Sequence, residues 1–175
     1  MIEIRRLKKS EIHKIAEIDR SEHVTLGYAY KDGKLEPEKV NWRVPRWPRE
    51  GSWGVEARIE RLTRILEEGG VMLGAFDGDL LVGIAGLRYN LTETMAQLTT
   101  MFVSKDYRRQ GIAARLAAEI FQLAREGGAK ELYVSATPSE SAVGFYQSHG
   151  FRLAEKVNKE LYALEPEDIH MIKTL

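Results

Sequence analysis

One stretch constrains the fold of this chain more than any other, the sequence YRRQGIA at residues 107–113. It follows an apolar run at residues 98–103 and opens a long amphipathic segment, so this order predicts a strand, a tight basic turn and a helix. The first turn of a helix has free backbone N–H groups at the positive end of its dipole, which favours anions. Gly111 lets the backbone approach a ligand closely, and Arg108 and Arg109 add positive charge for a polyphosphate.

Two short motifs in the second half of the chain resemble those of the GNAT family of N-acetyltransferases. Arg108, Gly111 and Ala113 match the family's Q/R-x-x-G-x-G/A motif, whose turn wraps the pyrophosphate of acetyl-coenzyme A. The sequence FYQSHGF at residues 145–151 matches a second motif of the family. The predicted order of strands and helices is also that of the family, so the resemblance covers nearly the whole chain. It is sharpest from about residue 95 to 151.

The length and charge of the chain bound its class. A chain of 175 residues suits one hydrophobic core, and we expect residues 1–175 to form a single domain. The 26 basic and 26 acidic side chains balance, whereas nonspecific nucleic-acid binders usually carry a basic excess. Nucleic acid is therefore not an expected partner.

Several site classes are absent from the sequence. The chain has no cysteine, which excludes disulfides, thiolate metal sites and a cysteine nucleophile, and its four histidines show no short metal-binding spacing. No apolar run approaches the roughly 20 residues of a membrane helix, and the N-terminus has no hydrophobic signal region. We therefore expect a cytoplasmic protein that needs no metal and no membrane.

The first third of the chain combines two regular elements with a long irregular segment. Alternation predicts a strand at 2–7, and helical spacing predicts a helix over 11–20 with Ser10 as its cap. Residues 21–54 contain all three tryptophans and three of the five prolines, and proline disfavours regular helix and sheet, so we expect them to be irregular. Asp-Gly at 32–33 is a hairpin signal within them.

The remaining elements follow from apolar periodicity and from glycine or proline at their ends. Residues 137–140, TPSE, have the form of a capping box with proline at the first helical position, and a short helix follows as far as Gly150. The other predicted elements are helices at 54–68 and 112–126 and strands at 71–76, 80–87, 95–103, 131–136, 151–157 and 169–173. With the resemblance, they predict an α/β (α+β) fold of the GNAT type. It has a single mixed, mostly antiparallel sheet of six to seven strands, flanked by about four helices.

The resemblance implies which residues contact acetyl-coenzyme A, the expected co-substrate. In the family, the strand before the basic turn splays away from its neighbour, and its backbone groups polarise the thioester. The matching residues in this chain are Met101, Phe102 and Val103. By the same comparison, the phosphates contact the turn, formed by Arg108, Arg109, Gln110, Gly111, Ile112, Ala113 and Ala114. Ser139 lies where many members carry an asparagine that contacts the cofactor.

Acetyl transfer to an amine needs a base for the amine proton and benefits from an acid for the departing thiolate. Tyr146 matches the family's thiolate-protonating tyrosine, although its ring could also serve as a core aromatic. The base stays open, because some relatives carry a glutamate where this chain has Val134. Glu22, His23 and Glu93 are the candidates. Water acting through backbone carbonyls and an amine of lowered pKa are the alternatives.

The motifs do not identify the acceptor, which could be a small molecule or a protein amine. Trp42, Trp47 and Trp53 share a segment with three arginines, which predicts an aromatic-walled acceptor site that prefers an acidic or planar group. Packing of the same tryptophans on the core is the competing interpretation. Homodimers are common among relatives, so the resemblance leaves a homodimer open.

The sequence favours an N-acetyltransferase that transfers acetyl directly from acetyl-coenzyme A to a primary amine in a ternary complex. A non-catalytic domain that binds acyl-coenzyme A as a sensor or partner module is the alternative. A nucleotide-binding protein would need a P-loop or a G-x-G-x-x-G sequence, and the turn contains neither.

Overall fold

Nine strands and four α-helices make up the structure, a computed structural model that describes all 175 residues. The strands are β1 (Ile2–Arg6), β2 (Glu22–Lys31), β3 (Lys34–Val44), β4 (Val71–Asp77), β5 (Leu80–Arg88), β6 (Met95–Val103), β7 (Glu131–Ala136), β8 (Arg152–Leu153) and β9 (Ile169–Thr174). The helices are α1 (Val55–Glu67), α2 (Ile112–Glu126), α3 (Glu140–Ser148) and α4 (Lys159–Leu164), with 3-10 helices at Lys9–Glu17 and Lys105–Tyr107.

Seven of the strands form one sheet in the order β1-β4-β5-β6-β7-β9-β8. Only the β6–β7 pair is parallel, and every other neighbouring pair in this sheet is antiparallel. This arrangement confirms the predicted mixed, mostly antiparallel sheet of six to seven strands. β4, β5 and β6 run as the three antiparallel strands that the sequence predicted, and they lead directly into the basic turn.

The two faces of the sheet carry different helices because residues alternate along each strand. On β4, Leu73 and Ala75 belong to the hydrophobic cluster that contains Leu116 of α2. Met72 of the same strand belongs to the cluster on the opposite face, together with Leu62 of α1. Hydrophobic residues at helical spacing therefore hold α2 against one face and α1, with the first 3-10 helix, against the other.

A separate two-stranded sheet, formed by β2 and β3, corrects the prediction that residues 21–54 are irregular. The hairpin turn is Asp32-Gly33, whose φ values of 50° and 79° suit a tight two-residue hairpin turn. Pro37 is tolerated within β3 because its partner Tyr28 directs its N–H away, to the carbonyl oxygen of Pro138 at 2.9 Å. Within residues 21–54, the one long stretch without a strand or helix is residues 45–54, between β3 and α1.

The hairpin lies against the segment that begins α3. Besides the Tyr28 hydrogen bond, Gly27 forms an isolated bridge with Ser139. A Cβ atom on Gly27 would lie 3.0 Å from both the Pro138 carbonyl oxygen and the Trp42 ring, so only glycine allows this close approach. The hairpin therefore borders the end of β7, next to Ser139, which the sequence resemblance assigns to the cofactor site.

The C-terminal region differs from the predicted pair of long strands. The predicted strand at 151–157 is a strand only at Arg152–Leu153, and α4 follows it. Asn158 caps α4 by accepting a hydrogen bond from the Leu161 N–H at 3.1 Å. This capping asparagine was the local signal for the helix that the sequence analysis missed.

Two helix starts also differ from the prediction. The N-terminal helix is a 3-10 helix at Lys9–Glu17 rather than a helix over 11–20 capped by Ser10. The cap of α3 is Ser139 rather than Thr137, and its hydroxyl accepts from the Ala142 N–H at 3.2 Å. None of the helices has the length and apolar character needed to cross a membrane.

Candidate active site

The parallel strands β6 and β7 pair only at their beginnings. Their register joins Met95 to Glu131 and ends where Gln97 meets Tyr133. The opposite edge of β6 stays paired with β5 up to Val103. The two strands therefore splay apart along residues 98–103, which leaves one edge of β6 without a strand partner. Backbone groups on that edge are free to bind a ligand.

A cavity of about 1270 Å³ lies at the splayed ends of these strands. The end of β6, the basic turn and the start of α2 line one part of it, and α3 lines another. The rest of the wall comes from the hairpin, α1 and the loop before β9. Such a volume can hold an extended ligand together with a second molecule.

The basic turn presents six consecutive backbone N–H groups that have no acceptor within the protein. These are the amides of residues 109–114, and the first hydrogen bond of the helix is Arg115 N–H to the Gly111 carbonyl at 3.1 Å. Arg109 and Gly111 both have left-handed backbone conformations, with φ values of 62° and 79°. Such a turn at a helix N-terminus forms a concave anion site. Left-handed conformation in a non-glycine residue is strained, and such strain is often found at functional sites.

Arg108 and Arg109 differ in how their charges are used. The Arg108 guanidinium donates to the carbonyl oxygens of Val103, Ser21 and Asp19 at 3.1, 3.0 and 3.5 Å. Arg109 is exposed. Arg108 therefore fixes the turn against neighbouring segments, and Arg109 is the freer of the two cations.

Tyr146 lies at the cavity wall with its ring packed among aromatic neighbours. Its ring centroid is 5.4 Å from that of Phe145 and 5.2 Å from that of Phe151, and 7% of the residue is exposed. Burial raises the pKa of the Tyr146 phenol, and the negative charge of Asp168 raises it further. The phenol is therefore protonated at neutral pH, as a proton or hydrogen-bond donor must be.

Ser139 also lines the cavity, although its hydroxyl is already engaged. Besides capping α3, it lies 3.2 Å from the Ser141 hydroxyl, which donates to Glu22 at 2.7 Å. Only 1% of Ser139 is exposed. This chain of hydrogen bonds connects β2 of the hairpin to the first turn of α3.

The three candidate bases from the sequence fall in different places. Glu22 lines the cavity. His23 is exposed on the next position of β2, 2.7 Å from the Asn41 side chain, and does not line the cavity. Glu93 precedes β6, at the opposite end of that strand from the cavity, a separation of about 25 Å along the strand. Of the three candidates, the structure therefore brings only Glu22 to the cavity that Tyr146 lines.

An acidic pair that sequence reasoning missed, Asp168 and Glu165, lines the same cavity. The pKa of Asp168 is raised from 3.8 to about 8, chiefly by burial and also by a hydrogen bond with Glu165 and the negative charge of Glu165, against a lowering by Arg58. Local sequence offered only a short acidic stretch at residues 165–168, which usually indicates a solvated loop. Tertiary packing turns it into a candidate proton acceptor.

The three tryptophans also separate in space. Trp53 lines the cavity and is 47% exposed. Trp47 packs edge-on against Phe102 with ring centroids 5.1 Å apart, and it does not line the cavity. Trp42 lies on β3 against Gly27, also outside the lining. Trp47 therefore packs against the core, and of the three tryptophans only Trp53 lines the cavity.

The arginines beside these aromatic rings are not those in the tryptophan-rich segment. Arg46 of that segment forms an ion pair with Asp19 at 2.8 Å. Arg20 and Arg58 line the cavity instead. The pKa of Arg58 is lowered to about 10, chiefly by burial and also by the positive charge of Arg61, against a raising by Glu165 and Asp168. Arg58 nevertheless stays charged at neutral pH.

Comparisons with known proteins identify the family. The sequence profile of the acetyltransferase (GNAT) family matches residues 37–151. N-alpha-acetyltransferase 50 of Danio rerio is 27% identical over 113 residues, which cover 62% of this chain and 67% of that protein.

Two solved structures share the fold. Nourseothricin acetyltransferase has a TM-score of 0.73 at 18% identity, over 99% of this chain and 98% of that chain. PaiA N-acetyltransferase from Thermoplasma acidophilum, solved with coenzyme A, has a TM-score of 0.66 at 20% identity, over 100% and 99%. Because the family profile spans more than half of the chain, the protein belongs to the acetyltransferase (GNAT) family and is an acyltransferase that depends on acetyl-coenzyme A.

Proposed function

We propose that this protein is an N-acetyltransferase that transfers the acetyl group of acetyl-coenzyme A directly to a primary amine, with both substrates bound together. One observation carries the proposal: the six unpaired amides of residues 109–114, the free edge of β6 and the Tyr146 side chain all line or border one cavity. The proposal treats the chain as one catalytic domain that works in the cytoplasm.

In this proposal, acetyl-coenzyme A lies along the splayed part of β6. Its pyrophosphate accepts hydrogen bonds from the amides of residues 109–114, and Arg109 adds positive charge. Its pantetheine arm pairs with the free edge at Met101, Phe102 and Val103. The thioester then lies near Tyr146, and Ser139 lines the adjacent wall. Holding both reactants in this geometry supplies much of the rate.

The reaction needs no covalent enzyme intermediate. The amine nitrogen attacks the thioester carbonyl carbon, and backbone N–H groups of β6 stabilise the oxyanion that forms. An acceptor that arrives as an ammonium first gives one proton to a base of the site, so that a neutral amine attacks. The N–C bond then forms, the C–S bond breaks and the nitrogen loses a second proton, which through solvent replaces the proton that Tyr146 gives to the sulfur. The departing sulfur receives a hydrogen bond and then a proton from the Tyr146 phenol. The products are an N-acetylated amine and coenzyme A.

We assign the proton of the attacking amine to the Asp168 carboxylate, which works beside Glu165. A carboxyl with a pKa of about 8 accepts a proton from an alkylammonium far more readily than an ordinary aspartate does. Glu22 is the second candidate, because it also lines the cavity. Its carboxylate already accepts from Ser141, which favours a positioning role.

The proposal is tested by coenzyme A release from acetyl-coenzyme A in the presence of a panel of primary amines. Tyr146→Phe should lower kcat by about 10²- to 10⁴-fold, the usual range for loss of an acid or base, while leaving acetyl-coenzyme A binding nearly unchanged. Tyr30→Phe is the matched control, because Tyr30 is exposed near the tip of the hairpin. Equal loss of turnover and binding in Tyr146→Phe would argue against an acid role.

Binding measurements separate the other function classes. Calorimetric titration should detect coenzyme A and acetyl-coenzyme A and give no signal with ATP or NAD. Tight acetyl-coenzyme A binding without acetylation of any amine would instead support the non-catalytic sensor. Sedimentation would determine whether the protein forms the homodimer that is common among relatives.

A further inference from the structure

We propose that the acceptor amine of this enzyme carries a second, anionic group, which Arg20 and Arg58 bind. These arginines lie in the part of the cavity lined by α1 and the loop before β9, which we call its acceptor end. The chemical class is a primary amine joined to a carboxylate or phosphate. This inference rests on the proposed N-acetyltransferase function, because it assigns the substrate class of that same site.

Three arginines near the acceptor end, Arg20, Arg58 and Arg61, form no ion pair within the protein. Arg20 and Arg58 line the cavity, and the positive charges of Arg61 and Arg20 both act on Arg58. None of the eight ion pairs in the structure involves any of the three. Clustered cations that form no ion pair repel one another, so they favour an anion that binds among them.

The hydrogen-bonding groups of these arginines are also incomplete. The Nε atoms of Arg20, Arg58 and Arg61, and Nη2 of Arg61, are buried without a hydrogen-bond partner. A buried donor that lacks an acceptor costs free energy, and a charged donor costs more. An anionic ligand group would supply acceptors for the donors that face the cavity.

Aromatic rings hold the guanidinium groups in place. Arg20 lies 4.5 Å above the Trp47 ring, and Arg58 lies 5.7 Å from the centroids of both Trp47 and Phe102. Arg61 lies 5.0 Å above Trp53. A ring face attracts the cation but leaves the in-plane N–H groups free, which suits them to bind a carboxylate or phosphate with two hydrogen bonds.

The position of Arg58 connects this anion site to the reaction. Phe102, against which Arg58 packs, is one of the β6 residues proposed to lie along the pantetheine arm. Asp168 and Glu165 are also close enough to act on Arg58, yet neither forms an ion pair with it. The cavity is therefore lined by both cationic and acidic side chains near Arg58. That arrangement fits a zwitterion whose ammonium faces Asp168 and whose anion faces Arg58.

Matched acceptors test the inference in the unmodified enzyme. Two pairs differ mainly in the anionic group: 4-aminobutanoate against 4-aminobutanamide, and phosphoethanolamine against ethanolamine. We expect kcat/KM for the anionic member of at least one pair to exceed that of its uncharged partner by about tenfold or more, as charge-assisted hydrogen bonds allow. The pair that responds distinguishes carboxylate from phosphate. Equal or lower values for both anionic members would overturn the inference.

Variants locate the site. Arg58→Gln should raise KM for the preferred anionic acceptor about tenfold or more relative to KM for its uncharged partner, so that the ratio of the two values isolates the anionic group. Arg64→Gln is the control, because Arg64 is exposed on the same helix and pairs with Glu60. Arg58→Lys should restore part of the preference if charge matters. A preference that survives in Arg58→Gln and Arg20→Gln would place the anion elsewhere and overturn the assignment.

The two proposals fail in different ways. If acetyl-coenzyme A binds and no amine of either charge is acetylated, the proposed function is wrong, and the inference falls with it. If uncharged amines are acetylated as well as anionic ones, the proposed function stands and only the inference is wrong.

Discussion

The guanidinium of Arg108 donates a hydrogen bond to the backbone carbonyl of Ser21 at 3.0 Å, while its Nε donates to the carbonyl of Val103 at 3.1 Å. One side chain therefore joins the turn before α2, the end of β6 and the loop that leads into the hairpin. Because the proposed cofactor and acceptor sites lie on these segments, Arg108 sets the position of one site relative to the other.

Arg108→Gln should destabilise the fold and weaken use of both substrates. The carbonyls that lose their charged donor make this cost about 1–3 kcal/mol in unfolding free energy. Arg109→Gln removes the same charge from an exposed neighbour, so it should weaken acetyl-coenzyme A binding with little change in stability. Chemical denaturation and steady-state kinetics on both variants provide the measurement. An unchanged unfolding free energy for Arg108→Gln would contradict the structural role.

Gly111 and Gly33 form a matched pair for testing the amide cradle. Both have a φ of 79°, and a Cβ atom on either would meet nothing within 4 Å. Alanine at each position should therefore cost a similar amount, about 1–2 kcal/mol, through backbone strain alone. Only Gly111→Ala should also raise the Kd of acetyl-coenzyme A, by about tenfold, because misaligned amides lose hydrogen bonds. Equal Kd values for both variants, measured by calorimetry, would contradict a role of the turn in cofactor binding.

The part of the site that could be predicted from sequence is the part built from one continuous stretch. β6, the basic turn and α2 are adjacent in the chain, and their apolar periodicity and Gly111 are local signals. The prediction of a strand, a turn and a helix there agrees with the structure. The location of the cofactor contacts within that unit stays a prediction.

The structure has the hairpin turn that Asp32-Gly33 indicated, but the length of the two strands was missed because the effect of a proline depends on the edge it faces. Pro37 lies in β3, where its missing N–H is not needed for pairing with β2. Sequence shows the proline but not the direction of its backbone nitrogen. The Asp-Gly turn was the better local signal, and it should have outweighed the prolines.

The acceptor side could not be read from sequence because distant segments build it. Arg20, Arg58 and Asp168 come from three different regions and meet only through tertiary packing. Arg46, by contrast, lies in the tryptophan-rich segment but pairs with Asp19. Proximity along the chain therefore pointed to arginines other than Arg20 and Arg58, which line the cavity.

A buried network supports the acidic loop, and its central residue gives a further prediction. The Tyr133 hydroxyl lies 2.7 Å from His170 Nδ1 and accepts from the Asn158 N–H at 3.0 Å. His170 Nε2 donates to the Glu165 carbonyl at 3.0 Å, so Nδ1 is the acceptor for the tyrosine. Tyr133 thus connects the sheet directly to Asn158 at the start of α4 and, through His170, to Glu165 after the end of α4.

Tyr133→Phe should lower the unfolding free energy by about 1–3 kcal/mol, because two buried groups lose their partner. It should also lower kcat without altering acetyl-coenzyme A binding, since the loop that carries Asp168 loses its anchor. Tyr162→Phe, a change on the exposed surface of α4, is the control for losing a tyrosine hydroxyl. A Tyr133→Phe enzyme with the stability and kcat of the unmodified protein would refute this role.

Ionisation of Asp168 should make the stability of the protein depend on pH. Its pKa is raised from 3.8 to about 8 in the folded protein, so the folded state binds this proton more tightly than the unfolded chain does. Stability should therefore fall as pH rises from 3.8 to about 8. Asp168→Asn cannot ionise, so it should melt at a higher temperature than the unmodified protein above pH 8 and at a similar temperature near pH 4. Glu167→Gln, an exposed neighbour, should keep the pH dependence of the unmodified protein.

The same ionisation should control activity in the opposite direction. As a proton acceptor, Asp168 must be ionised, so kcat/KM for the acceptor should increase with pH up to about 8. Asp168→Asn should remove that increase and lower kcat by about 10²- to 10⁴-fold, as loss of a general base does. Asp168→Asn should therefore show both effects in one variant, because removing the buried carboxyl stabilises the fold at high pH and lowers kcat. An active Asp168→Asn enzyme with an unchanged pH profile would instead direct the search for the base to Glu22.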